Sequence, residues 1–148
     1  MEKIIIGRKD HADLPTFGLK NVPVKIDTGA YSSSIHCDHI TLIEEGDEKC
    51  LKVEFFGTET EEAPIVVFDS FETKKVRSST GQEEIRYFVK GDIVLFGKKY
   101  QTMFSLSERL NMRYPILLGR KLLKNKFIVD SSKIDLSLNK LKTTIYIK

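Results

Sequence analysis

Val24-Lys25-Ile26-Asp27-Thr28-Gly29-Ala30 is the stretch on which the fold turns. An extended apolar run enters an Asp, followed by a small hydroxyl residue and then a Gly. Gly29 permits a tight turn close to a second chain, and the Thr28 hydroxyl can hydrogen-bond backbone to lock that turn. A carboxylate at such a strand end is held rigidly, as a catalytic group must be. The competing reading is an Asx-turn that merely closes a strand. The tripeptide alone does not separate the two, so its surroundings decide.

Downstream, Tyr114-Pro115-Ile116-Leu117-Leu118-Gly119-Arg120-Lys121-Leu122-Leu123 reads as a buried strand ending in Gly with a short helix directly after it. Arg120–Asn125 has good helix formers, Leu122 and Leu123 give it an apolar face, and Asn125 suits the left-handed residue that ends a helix. Between the two segments, residues 74–89 read as two strands around a small polar turn at Ser78-Ser79-Thr80-Gly81. Elsewhere short apolar or alternating runs recur: Ile4–Ile6, Val22–Ile26, Ser33–Cys37, Leu51–Phe56, Ile65–Phe68, Ile85–Val89, Ile93–Phe96, Met103–Leu106, Ile116–Leu118, Phe127–Val129 and Thr143–Ile147. Glycines, Gly91 among them, fall where bends are expected. The expectation is a mainly β chain, sandwich or compact barrel, with one short helix. No repeat or linker appears, Glu44–Glu48 reads as an exposed loop, and residues 1–148 read as a single domain.

These segments, in this order, resemble the retropepsin family, where an Asp-Thr-Gly-Ala strand is followed much later by an apolar-apolar-Gly-Arg-x-Leu-Leu segment. The chain is more similar still to the RimB-type branch, often labelled ATP-dependent zinc proteases and found beside RimK-type ATP-grasp ligases. The matching pieces are Ile6-Gly7-Arg8-Lys9, Lys25–Ala30, Ser33-Ser34-Ile35-His36, Val76-Arg77-Ser78-Ser79, Arg86-Tyr87, Met112-Arg113-Tyr114-Pro115, Leu117-Leu118-Gly119-Arg120 and Phe127-Ile128-Val129-Asp130. The resemblance implies a closed retropepsin-like β-barrel with a β-hairpin flap over the substrate. It implies catalytic roles for Asp27, Thr28 and Gly29, with Ala30, Arg77, Ser78, Ser79 and Arg86 lining the substrate site. An acidic, glutamylated peptide would suit Lys74, Lys75, Arg77 and Arg86 near the flap. The rival account is that these cations keep an edge strand soluble.

An aspartic mechanism needs two carboxylates, and the chain has one Asp-Thr-Gly. Asp69-Ser70-Phe71 and Asp130-Ser131-Ser132 both lack the Gly. Symmetry is the remaining solution: a homodimer in which each copy contributes Asp27 and, by the resemblance, each Thr28 braces the other subunit's loop. Thr143–Ile147 is a natural intersubunit strand, although the same run suits a core or edge strand.

Neither half of the zinc-protease label finds its chemistry here, and no cofactor is expected. Gly91–Lys99 has the wrong spacing for a phosphate loop and lacks the magnesium-holding Ser or Thr. His36-Cys37-Asp38-His39 gathers ligand-type side chains, with His11 and Cys50 elsewhere, but there is no His-Glu-x-x-His pair or Cys-x-x-Cys knuckle. On a strand, His36 and Cys37 face opposite sides. This reads His36 as a hydrogen-bonded residue and Cys37 as a buried apolar one, with zinc left as a third alternative. Ser32, Ser33 and Ser34 lie in no nucleophile elbow, and serines after a strand turn usually satisfy backbone groups.

The bulk numbers fit one soluble domain of ordinary size: 148 residues, 41% hydrophobic and 30% charged. A net charge of +3 with a pI near 8.8 does not argue for nucleic acid. Glu44–Glu62 is acidic and Arg120–Lys148 basic, either as solvated faces or as complementary patches. Two cysteines imply no disulfide framework, no stretch has the length to span a bilayer, and Met1–Gly7 is too short for a signal peptide. A cytoplasmic protein with reduced thiols is expected. The functional expectation is therefore a homodimeric aspartic peptidase acting on a peptide or protein, with a RimK-type ligase as neighbour. The alternative is a non-catalytic domain of the same fold that binds or regulates such a ligase.

Overall fold

The computed structural model describes residues 2–57, 61–77, 80–108 and 113–147, residues 142–147 by backbone alone. In chain order the elements are β1 (Ile4–Ile6), β2 (Lys9–Leu14), a 3-10 turn (Pro15–Phe17), β3 (Leu19–Ile26), β4 (Ser33–His36), β5 (His39–Glu45), β6 (Glu48–Glu54), β7 (Ile65–Phe68), β8 (Glu72–Arg77), β9 (Glu83–Leu95), β10 (Lys98–Ser107), β11 (Ile116–Leu118), α1 (Arg120–Leu123), β12 (Phe127–Val129) and α2 (Leu136–Ile147). The chain is mainly β, as expected.

Strands run in the order β10-β4-β11-β3-β2-β9, and β9 pairs back onto β10, so six strands close into a barrel. Closure between β2 and β9 is narrow, through Asp13 opposite Val94. β8 hangs on the free side of β9 as the hairpin expected over residues 74–89. β5, β6 and β7 form a separate antiparallel sheet, and β1 pairs in parallel with β12.

Alternation explains which faces are buried. On β3, Val22, Val24 and Ile26 point inward, and on β11 Ile116 and Leu118 do the same. Phe17 fills the middle of the core, its ring 4.9 Å from Phe55 and 5.3 Å from Phe104. That ring lies where a side chain at residue 91 would be. Gly91 is therefore no breaker: β9 runs through it as one strand of 13 residues, where two runs were expected. The Glu44–Glu48 loop is a tight turn, with Glu45 opposite Glu48 and Gly46 at φ 60°.

Four expectations are corrected. β2 was not foreseen, because Asp10 occupies one of its inward positions. That carboxylate is buried yet satisfied: Oδ2 accepts from Ser137 N–H at 2.8 Å, and Oδ1 from Leu138 N–H at 3.1 Å and His11 N–H at 2.8 Å. The bond from β2 to the first turn of α2 accounts for the second correction. Thr143–Ile147 lies in α2 and is not a strand: Asp10 satisfies N–H groups in the first turn of the helix, and the strand preference of its β-branched residues is a weak prior that tertiary context overrides. The helical content accordingly exceeds the single short helix read from the sequence. Lastly, β5 was not among the strand runs expected from the sequence. The expected α1 is present, and Asn125 after it has φ 66°.

Candidate active site

The Asp27 turn is laced to two other segments by backbone. Asp27 N–H donates to Leu118 carbonyl at 2.9 Å, bringing the end of β3 against the end of β11. Within the turn, Asp27 Oδ1 accepts from Gly29 N–H at 3.0 Å, and Ala30 N–H donates to Asp27 carbonyl at 3.2 Å. The Asx-turn of the competing reading is therefore real, and it fixes one carboxylate oxygen while leaving Oδ2 free of protein hydrogen bonds among the described residues. Asp27 is half-buried, and Thr28 and Gly29 are exposed.

Helix α1 supplies the second brace. Its first N–H groups have no partners within the helix. Arg120 N–H donates to Ala30 carbonyl at 2.8 Å and Lys121 N–H to Tyr31 carbonyl at 2.9 Å. The Arg120 guanidinium donates to Thr28 carbonyl at 3.0 Å and sits 5.9 Å from the Tyr31 ring centroid. Gly119 makes this approach sterically feasible: a Cβ there would lie 2.6 Å from Ser32 carbonyl oxygen and 2.8 Å from that of Tyr31. Ser33 Oγ accepts from Gly119 N–H at 3.1 Å, the backbone-satisfying role read for this serine run.

The lock expected from the Thr28 hydroxyl is made by other groups, the Asp27 carboxylate and the Arg120 guanidinium. Arg120 and Ser33 were not singled out as site residues. The signal that could have found Arg120 is its place after Gly119, where a helix start must meet the turn.

The predicted substrate residues are less tightly gathered. Ala30 belongs to the turn itself. Arg77 is exposed on β8 and lies 3.8 Å from Glu83, while Arg86 on β9 stands opposite Lys74. Ser78 and Ser79 lie outside the described residues, as does Met112 of the matching pieces. Among the described residues no hydrogen bond or ion pair joins the hairpin to the Asp27 turn. A groove of about 420 Å³ runs from the hairpin onto the barrel, lined by Arg86, Tyr87, Ser34, Leu117 and Glu108 among others, and none of Asp27, Thr28, Gly29 and Ala30 lines it. Leu117 is paired with both Ser34 and Lys25. Ser34 and Leu117 of the groove thus lie in register with Lys25, two residues before Asp27.

Other candidates resolve into structural roles. Asp130 Oδ1 accepts from the Ser132 hydroxyl at 2.6 Å and from its N–H at 3.0 Å, and these bonds, the hydroxyl's first, hold the carboxyl below its ordinary range. His36 Nε2 lies 3.1 Å from Asp38 Oδ1, and His39 is exposed 3.8 Å from Glu108. Burial pushes the Cys37 thiol up to about 12, so it is no nucleophile at neutral pH. These residues do not fit a zinc ion: Cys37 is buried while His36 faces partly outward, and among the described residues no three His, Cys, Asp or Glu side chains converge on one point.

A closed six-stranded barrel presenting one braced Asp-Thr-Gly turn per chain defines a fold class of β-barrel proteins with a carboxylate at a rigid strand end. The chain belongs to the RimB-like family, described as retropepsin-like aspartic endopeptidase RimB, whose model matches residues 5–139. Among curated proteins, one from Shewanella pealeana named "Probable alpha-L-glutamate ligase" is 30% identical over 133 residues, which is 88% of this chain and 29% of that protein. A protein of the same name from Parasynechococcus marenigrum is 28% identical over 130 residues, 86% of this chain and 28% of the other. The chain thus spans less than a third of the length of these curated relatives. A solved structure from Legionella pneumophila, of a protein described as having unknown function, matches with a TM-score of 0.68 at 28% identity, covering 92% of this chain and 99% of that one. No helix among the described residues is long and apolar enough to cross a membrane.

Proposed function

We propose that the chain is one half of a homodimeric aspartic endopeptidase, the two copies apposing their Asp27 carboxylates across a water. The observation that carries this reading is the Asp27 turn: one carboxylate per chain, rigidly braced by β11 and α1, on a loop whose Thr28 and Gly29 remain exposed. Such a half-site is chemically incomplete alone. Two carboxylates held a few ångströms apart cannot both ionise and so share a proton. The ionised partner then takes a proton from the water as general base, while the protonated one polarises the scissile carbonyl. The titration belongs to the pair.

Family membership supports the same reading, and the β8–β9 hairpin is suited to act as the flap that excludes water over the groove. A glutamylated peptide, produced beside a RimK-type ATP-grasp ligase, is the substrate class the resemblance suggests. The direct test is cleavage of glutamate-rich peptides across acid and neutral pH. Wild-type protein should cleave them, and Asp27→Asn should lose at least about a thousandfold in kcat while retaining its fold, because the variant removes the base and not a core contact.

A second reading has the more direct support from the curated relatives, since proteins named as glutamate ligases carry the matching segment. On that reading the barrel is a non-catalytic binding or regulatory domain for an ATP-grasp ligase. A monomer without peptidase activity that forms a stable complex with such a ligase would establish it and displace the first.

A further inference from the structure

We propose that Arg8, Lys9, Lys25 and Arg113 form an anion subsite that takes the carboxylates of an acidic peptide next to Asp27. This rests on the peptidase reading for its substrate, although the site itself is argued from geometry. The four cations come from three segments far apart in sequence and line one concavity of about 340 Å³, with Ile26 and Tyr114. Among the described residues none of the four makes an ion pair.

Two features set this cluster apart from a solvated basic face. Lys9 and Lys25 are direct cross-strand partners in the β2–β3 pairing. Like charges placed opposite one another are unfavourable in a sheet, and an anion bound between them would relieve that repulsion. The acid nearest in sequence offers no relief either, because Asp10 faces the opposite side and is committed to α2. The pocket also adjoins the turn. Arg8 carbonyl accepts the Ile26 N–H at 2.9 Å, Ile26 is a pocket wall, and Asp27 is the next residue.

The hairpin is the weaker place for acid recognition. Its cations stand among Glu72, Glu83 and Glu84, and Arg77 is already beside Glu83. In the pocket, two guanidinium and two ammonium groups line one concavity with no ion-pair partner among the described residues, the Arg8 guanidinium also donating to Ser131 carbonyl at 3.2 Å, a set suited to a run of carboxylates. A nucleic acid offers the same sign of charge, but the net charge of +3 gives no extended basic track for its backbone.

The test uses full-length protein carrying Asp27→Asn, which binds without turnover, and a fluorescein-labelled hexaglutamate read by anisotropy. Binding should weaken as salt rises. Lys25→Ala and Arg113→Ala, each added to that background, should weaken it about tenfold, while Arg77→Ala changes it less than about twofold. Lys25→Ala also removes the opposed charge, so its thermal midpoint should not fall, which separates lost binding from lost folding. Hexaglutamine bound as tightly as hexaglutamate would overturn the proposal. So would loss of binding in Arg77→Ala alone, or an oligonucleotide that binds more tightly and depends on Lys25 and Arg113. If wild-type protein cleaves nothing while hexaglutamate still needs Lys25 and Arg113, the anion site stands and the peptidase reading fails.

Discussion

At the scale of single residues, the site depends on an absent side chain. Gly119 has ordinary extended backbone, φ −97° and ψ 178°, so its conformation does not demand glycine. Space does. The atoms a Cβ would strike are the carbonyl oxygens of Ser32 and Tyr31, which are backbone and cannot swing aside. Gly119→Ala must push β11 away from the turn and stretch the bonds from Arg120 and Lys121 to Ala30 and Tyr31. A destabilisation of about 1–3 kcal/mol is expected, measured by urea titration, as for other overpacked positions. Any peptidase activity should fall further than stability does, because Asp27 rides on the displaced loop. An alanine variant as stable and active as wild type would show that the turn tolerates a looser brace. The sequence marked Gly119 as the end of a buried strand, but its partners came from Tyr31-Ser32-Ser33, which no periodicity links to residue 119.

At the scale of elements, legibility followed how local the determining contacts are. β1, β7, β11, β12 and α1 were readable because their residues carry their own signal, apolar runs bounded by turn formers or a helix start after Gly. β2 and α2 were misread together, for one reason. Each depends on the other through Asp10, whose burial looks wrong for a strand until the helix N–H groups that it accepts are in place. The same long-range logic made Gly91 look like a break, since its packing partner Phe17 lies 74 positions earlier. Asp10→Ala tests the pairing of β2 with α2. It would leave two helix N–H groups and the His11 N–H without their acceptor, at a cost of about 1–3 kcal/mol by thermal melting. Backbone amides of Ser137 and Leu138 should lose hydrogen-exchange protection before those of β3 or β11. If protection at Ser137 and Leu138 is unchanged in the variant, α2 is anchored by something other than this carboxylate.

At the scale of the whole molecule, the proposed chemistry is a property of two chains, which makes it testable by mixing. A monomeric enzyme diluted with an inactive variant simply keeps the activity of its wild-type fraction. A dimer that shares its dyad does not, because each mixed pair has one Asp27 carboxylate facing an amide and lacks the carboxylate couple. With equal amounts of wild-type and Asp27→Asn protein, allowed to exchange subunits freely, only about a quarter of the pairs are wild-type on both sides, so activity should fall to about a quarter of the undiluted value at constant total protein. Before any exchange the same mixture should retain about half, and incubation near the dimer dissociation constant should carry it from about half down to about a quarter. Specific activity should also drop on dilution as the dimer separates, with sedimentation velocity reporting the same midpoint. A mixture that stays at half after full exchange, with activity independent of concentration, would mean that one chain carries its complete machinery, and the apposed Asp27 pair would have to be given up.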